Sequence, residues 1–403
     1  MAIVRVVDQY NFPLLLRELG RALRGGDINI AHVVDRANTF VLCLSLLPPS
    51  DRLAMMELGR RKGMEALMAR PRDPAHAEDF DVIVMGTFAQ YLSLVDEVKE
   101  LGPAMLRIGS EMKRAIFDYR ERVFEIQAPT GAITLGRETL VMGILNTTPD
   151  SFSDGGAYDT KDKAVRRAKK IAEEGAAILD IGGESTRPGA DPVTPAEEQK
   201  RVLPVVEALF KADYPIPISI DTRNSSTAEK CLAAGASIVN DVSGFRHDPA
   251  MAGVVSRAAV PVILMHSRGT PKTMQKEAEY HDLMAEVSSE LRDSLRVARE
   301  AGIDASNILL DPGLGFAKTP DQTIEVLQRL PELRTLGRPI VVGPSRKSFL
   351  KKLGAEDDET RDGLATAGAL AACAYAGAHV VRVHDVGQAV KILRVVDGVR
   401  RLV

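Results

Sequence analysis

The chain has 403 residues, 45% hydrophobic and 27% charged, which is enough to bury a substantial core in more than one domain. A formal net charge of -3 argues against a general nucleic-acid-binding surface, which is normally basic, but leaves room for a local anion site. The amino terminus shows no basic region followed by a long apolar core, and no apolar run nears the roughly 18 residues of a membrane span, so the cytoplasm is the expected location.

In chain order, "AIVRVVD" and "DVIVMGT" read as strands, and "FPLLLRELGRAL", "PSDRLAMMELGRRKGMEALMA" and "FAQYLSLVDEVKEL" as amphipathic helices. They predict a small α/β domain over residues 1–122, with no role legible in its composition. "FEIQAPTGAITLGRETL" reads as a hairpin closing the bottom of a barrel over residues 123–403. Cys43, Cys231 and Cys373 are too few and too scattered for a disulfide framework or a zinc site, and are expected to be buried small hydrophobes in a reducing compartment.

From about residue 140, eight apolar runs alternate with longer helical patterns: "LVMGIL", "AILDIGG", "IPISIDT", "SIVNDVSG", "PVILMH", "NILLDPG", "PIVVGPS" and "HVVRVHD". Helix candidates such as "DKAVRRAKKIAEEGA", "STAEKCLAAGA" and "RDGLATAGALAACAYAGA" each close near a glycine. Strict alternation implies right-handed βαβ units, and eight of them fit a closed (β/α)8 TIM barrel better than an open sheet.

Every run turns polar at its carboxyl end: Asn146, Asp180, Asp221, Asn240 with Asp241, His266, Asp311, Ser345 with Arg346 and Lys347, and Arg382 with His384. In a barrel these ends meet on one face, where active sites are built. The plainer alternative is helix capping, which suits Asp, Asn and Ser but not Lys, Arg or His. Asp221, Asn240 and Asp311 suit a flat heterocycle with several N–H donors, whereas Lys347, Arg382 and His384 come from the strands that usually face phosphate. A nitrogen-rich ring joined to an anion is the ligand this division suggests. Arg268 in "MHSRGTP" stays open between a solvated charge and a ligand. The loop "TPDSFSDGG" is too long for a plain connector, and Pro149 and Phe152 are poor choices for a merely solvated one.

Seven segments in order, "GILNTTPDSFSDGG", "DIGGESTRPGA", "SIDTR", "NDVSG", "DPGLGFAK", "GPSRKSFL" and "RVHDV", resemble the signatures of the dihydropteroate synthase family, over about residues 125–403. The resemblance implies condensation of 6-hydroxymethyl-7,8-dihydropterin diphosphate with 4-aminobenzoate, giving 7,8-dihydropteroate and diphosphate in folate synthesis, by an SN1-like loss of diphosphate. Carried over by position, it implies that Asp221, Asn240, Asp311, Phe316 and Lys347 hold the pterin. Asn146, Arg382 and His384 would hold the diphosphate, with Mg2+ bridging its oxygens and Asn146 as the protein's metal ligand. Asn146, Asp221, Asp311, Lys347, Arg382 and His384 would form the catalytic set. Two mobile loops would carry Ser151, Phe152, Thr186, Arg187 and Pro188 to the aminobenzoate, whose carboxylate would meet Ser348. The resemblance further implies a homodimer through the last barrel helices. It suggests no membrane or nucleic-acid partner, and the extra amino-terminal domain departs from the usual family unit.

Overall fold

The computed structural model describes residues 38–45, 47–69, 80–147, 157–185, 191–354 and 363–401. The predicted strand "AIVRVVD", the helix "FPLLLRELGRAL" and the loop residues Ser151, Phe152, Thr186, Arg187 and Pro188 lie outside them. The chain divides into two compact units, the first running to Arg120 and the second from Glu121 to Arg400.

The first unit is a three-stranded antiparallel sheet in the order β1-β3-β2, formed by β1 (Thr39–Leu44), β2 (Glu65–Ala69) and β3 (Asp81–Thr87). Helices α1 (Pro49–Arg61), α2 (Phe88–Val98) and α3 (Pro103–Arg120) contribute Met55, Leu58, Leu94, Val98 and Met112 to its core with Val82 and Val84 of β3. Thr87 and Gln90 start α2 with a reciprocal pair of hydrogen bonds, in which the side chain of each accepts from the other's backbone N–H.

The structure departs from two expectations. The stretch read as one helix over residues 49–69 is α1 followed by β2, because Gly63 takes a left-handed φ of 67° and turns the chain onto the edge of β3. Cys231 and Cys373 are buried, but Cys43 is exposed. The period-2 alternation of β1 turns Phe40, Leu42 and Leu44 towards the core and leaves Val41 and Cys43 on the other face.

The second unit is the predicted barrel. Eight parallel strands follow one another as β6 (Leu140–Asn146), β7 (Ile178–Gly182), β8 (Ile218–Asp221), β9 (Ile238–Asp241), β10 (Val262–Met265), β11 (Ile308–Asp311), β12 (Val341–Val342) and β13 (Val380–Val383). The sheet closes where Leu310 bridges Ile340 and the Leu310 N–H bonds the Pro339 carbonyl at 2.9 Å. Around it lie α4 (Ala157–Glu173), α5 (Pro195–Lys211), α6 (Ser225–Ala233), α7 (Met251–Ala258), α8 (Leu283–Glu300), α9 (Pro320–Gln328), α10 (Phe349–Lys352), α11 (Leu364–Tyr375) and α12 (Val386–Arg401).

Because side chains alternate across a strand, each run sends one set outward and the other into the barrel. Val141, Leu179, Ile220, Val239, Leu264, Leu310, Val342 and Val381 join the core shared with the helices. Inward, Met142, Ile178, Ile238, Ile263, Leu309, Val341 and Val380 make an apolar floor. The hairpin β4 (Phe124–Ala128) and β5 (Gly131–Leu135) inserts Ile126 and Leu135 into this floor. Asn307 fastens the hairpin, accepting from the Gln127 N–H at 2.7 Å. Further along β6, β7, β8, β9, β11 and β13 the inward residue is polar, namely Asn146, Asp180, Asp221, Asn240, Asp311 and Arg382, so the sequence pattern lays a charged layer on a dry one. Among the described residues no helix is long and apolar enough to cross a membrane.

Leu135→Ala is expected to cost roughly 2–5 kcal/mol in urea unfolding, because the floor cannot refill a cavity at its base. A loss below about 1 kcal/mol would show that the hairpin does not share the barrel core.

Candidate active site

Strand register sets the inner rim: Asn146 pairs with Gly182, Gly182 with Asp221, and Asp221 with Asn240. Asp180 lies one inward step below this row. Arg382 starts deeper, level with Met142, and its long side chain climbs to the carboxylates. Its Nε donates to Asp180 Oδ2 at 2.6 Å and its Nη2 to Asp221 Oδ2 at 2.6 Å. Asn240 donates its amide N–H to the same Asp180 oxygen at 3.2 Å.

Asp180 is wholly buried, and its Oδ1 has no hydrogen-bond partner among the described residues. Burial pushes the Asp221 carboxyl up, against the pull of Arg382 and with the nearby Asp180 charge adding to the rise. Although burial opposes it, Asp180 and Asp221 raise the Arg382 guanidinium and keep it charged.

Across the mouth, Asp311 accepts the Gly313 N–H on Oδ1 at 2.7 Å, while its second oxygen has no hydrogen-bond partner among the described residues. Burial pushes this carboxyl up to about 6, against the Gly313 N–H and the Lys347 charge. The Lys347 ammonium sits 4.1 Å from the centre of the Phe316 ring, a cation–π seat. Burial and the Arg382 charge bring it down to about 8, with Asp311 and Asp221 opposing. His384 is half-buried, its Nδ1 3.1 Å from Ser345 Oγ, and Ser348 is exposed.

Several strand-end residues do other work. Asp241 accepts the backbone N–H groups of Ser243 and Phe245 and so builds a turn, ten residues before the helix that the capping alternative would have it cap. Arg346 reaches Asp385 at 2.9 Å on the surface. Arg268 is not a free surface charge: it lies over the Tyr280 ring at 4.0 Å and donates to Glu286 and Glu290. Asp180 was visible as a strand end but indistinguishable there from a cap. Lys318, which is 2% exposed, closes the "DPGLGFAK" segment, but nothing in the sequence singled it out for a role.

A Cβ on Gly182 would stand 3.5 Å from Asp221 Oδ2 and 3.8 Å from Asn146 Oδ1, so the bare glycine leaves a small recess lined by hard oxygen donors. Such donors suit Mg2+ held mainly by a substrate's phosphates and water. Among the described residues no group of His, Cys, Asp or Glu forms a complete metal cage. A larger groove of about 840 Å³, lined by Tyr214, Leu232 and Val254, lies at the other end of the strands and holds none of these groups.

The mouth is therefore that of a barrel enzyme, with acceptors for a flat N–H-rich ring beside cations for an anion. Residues 142–384 match the sequence family described as pterin binding enzyme. Dihydropteroate synthase of Synechocystis sp. is 46% identical over 66% of this chain and 92% of its own length. That of Bacillus subtilis is 44% identical over 68% and 93%. The crystal structure of Burkholderia cenocepacia dihydropteroate synthase complexed with 7,8-dihydropteroate is 39% identical, covers 69% of this chain and 97% of its own, and superposes with a TM-score of 0.61. The chain belongs to the dihydropteroate synthase family, transferases among the pterin binding enzymes.

Asp180→Ala would strip the Arg382 guanidinium of one buried partner, and is expected to cost roughly 3 kcal/mol in denaturant unfolding. A cost under about 1 kcal/mol would mean that Asp221 alone satisfies the cation.

Proposed function

We propose that this enzyme joins 6-hydroxymethyl-7,8-dihydropterin diphosphate to 4-aminobenzoate, releasing diphosphate and forming 7,8-dihydropteroate for folate synthesis. The observation that carries the reading is the half-satisfied Asp311 carboxylate, facing the same mouth as Lys347, Phe316 and the Arg382 pair. A pterin presents parallel N–H donors along its guanidine-like edge, and Asp311 would accept from them. Asp221, Asn240, Phe316 and Lys347 would frame the rest of the ring. The family relative crystallised with 7,8-dihydropteroate agrees with a product of this kind.

The amine of 4-aminobenzoate is neutral and nucleophilic at pH 7, so the enzyme need not supply a strong base. In the reaction the methylene C–O bond breaks with its electron pair going to diphosphate, the amine nitrogen bonds the methylene, and the amine gives up a proton. We favour an SN1-like order in which C–O cleavage runs ahead, since the electron-rich ring spreads positive charge and Asp311 stabilises it. Asn146, Arg382 and His384 would take the diphosphate. Arg382 already spends its Nε and one Nη2 proton on Asp180 and Asp221, so it meets phosphate through Nη1 and the remaining Nη2 proton. Mg2+, when bound beside Asn146 and Asp221, would supply charge neutralisation of the leaving group. Ser151, Phe152, Thr186, Arg187, Pro188 and Ser348 would complete the aminobenzoate site and exclude water from the cation.

Incubation with both substrates and Mg2+ is expected to release dihydropteroate and diphosphate, with turnover falling by at least about 100-fold in Lys347→Ala and in Arg382→Ala. A folded wild type that makes no product would overturn the proposal. The Asp311 carboxylate prevails above about 6, so the accepting form is lost as the pH falls. Affinity for 6-hydroxymethylpterin, which has no phosphate to titrate, should therefore fall below pH 6 in calorimetry. A flat profile from pH 5 to 8 would contradict the assignment of Asp311 as an ionised acceptor.

A further inference from the structure

Beyond β11 the chain makes a tight turn over residues 313–317, with left-handed φ of 65° at Gly313, 76° at Gly315 and 46° at Ala317. Such a backbone persists only when its surroundings over-determine it. A Cβ on Gly313 would lie 2.0 Å from the His266 carbonyl oxygen, so the turn is pressed against the end of β10. Side chains hold its carbonyls: Gln275 Nε2 donates to Gly315 at 3.2 Å and Tyr280 Oη to Ala317 at 2.8 Å. Two more, those of Gly313 and Phe316, are held by one group. Lys318 Nζ donates to Gly313 at 3.2 Å and to Phe316 at 3.1 Å, and it also meets His266 Nδ1 at 2.9 Å.

An ammonium has three N–H donors, and here it has three acceptors. The network assigns His266 Nδ1 as the acceptor, which puts the ring proton on Nε2, 3.3 Å from Glu290 Oε2. Burial and the Lys318 charge lower His266 to about 4, so the ring is neutral and suited to accept. Burial also drives the Lys318 ammonium down to about 7, with Asp311 and Glu290 opposing and Arg268 and Arg246 adding to the fall. A buried lysine with every proton engaged is costly to keep unless the ties it makes matter.

Those ties lead to the ring-binding groups. Gly313, whose carbonyl Lys318 holds, gives its N–H to Asp311. Phe316, whose carbonyl Lys318 also holds, carries the ring beneath the Lys347 ammonium. We infer that Lys318 is a positioning residue: its ammonium fixes the 313–317 turn so that Asp311 and Phe316 stand ready for the pterin ring. The inference rests on the proposed dihydropteroate synthase reading and adds to it a group that touches neither substrate.

The test compares wild type with Lys318→Met, which keeps the chain length and removes every donor, and Lys318→Gln, which restores two. Binding of pterin-6-carboxylate is followed by calorimetry, and the KM for 4-aminobenzoate is measured at saturating pterin diphosphate. Lys318→Met should weaken pterin binding by at least about ten-fold, with Lys318→Gln recovering part of the loss. The KM for 4-aminobenzoate should stay within about two-fold, which a general structural defect would not achieve. A folded Lys318→Met that binds pterin like the wild type overturns the inference and leaves the proposed function standing. A wild type that binds no pterin overturns both. If Lys318→Met does not fold, nitrogen-15 lysine NMR on the wild type decides: pterin should shift the Lys318 Nζ resonance, and an unmoved resonance refutes the positioning role.

Discussion

Two carboxylates and one guanidinium at the bottom of the mouth set the terms for everything above them. Asp180, Asp221 and Arg382 sit on the inner face of three strands and meet at 2.6 Å. Separately each charge would be costly in a barrel interior; together the one guanidinium offsets half of the paired negative charge, and the Asn240 amide donates to Asp180. The pairing also pre-orients Arg382. A guanidinium held by two fixed acids loses little freedom when an anion arrives, and its remaining N–H groups point where the acids do not.

That arrangement depends on the layer beneath it. The floor of Met142, Ile178, Ile263, Leu309 and Val380, plugged by Ile126 and Leu135, keeps water out from below. Charges above a dry floor interact more strongly than they would in water, and this shifts Asp311 upward and Lys347 downward by burial. The same alternation of side chains that makes the floor makes the charged rim, so fold and site are two readings of one period-2 pattern. On the proposed function the rim and the turn after β11 would fix the ring end of the ligand, and the loops beyond β6 and β7 would meet the second substrate.

The barrel was legible because each strand is a short apolar run that ends in a polar residue, and because glycines close the helices between them. The placing of Asn146, Asp221, Asn240, Asp311, Lys347, Arg382 and His384 towards the mouth could be read for the same reason: position at or just past a strand end is a statement about space as well as sequence. What failed to show was whatever depends on contacts far apart in the chain. Asp241 and Asp180 look alike as strand ends, yet one ties a turn and the other a guanidinium. Lys318 follows an ordinary loop, and only the fold brings it to His266, 52 residues away. The acidic partners of Arg268 on α8 were equally out of sight, because they lie 18 and 22 residues further along the chain. In the first unit, one glycine with a left-handed backbone was enough to divide a helical pattern into a helix and a strand.

The most direct measurement is a crystal structure of the protein with 6-hydroxymethyl-7,8-dihydropterin diphosphate and Mg2+. The account predicts the ring's N–H edge within about 3 Å of Asp311, and the diphosphate on the side of Asn146, Arg382 and His384, with Arg382 still tied to Asp180. A ring bound away from Asp311, or a diphosphate that leaves the Arg382 side empty, would contradict it.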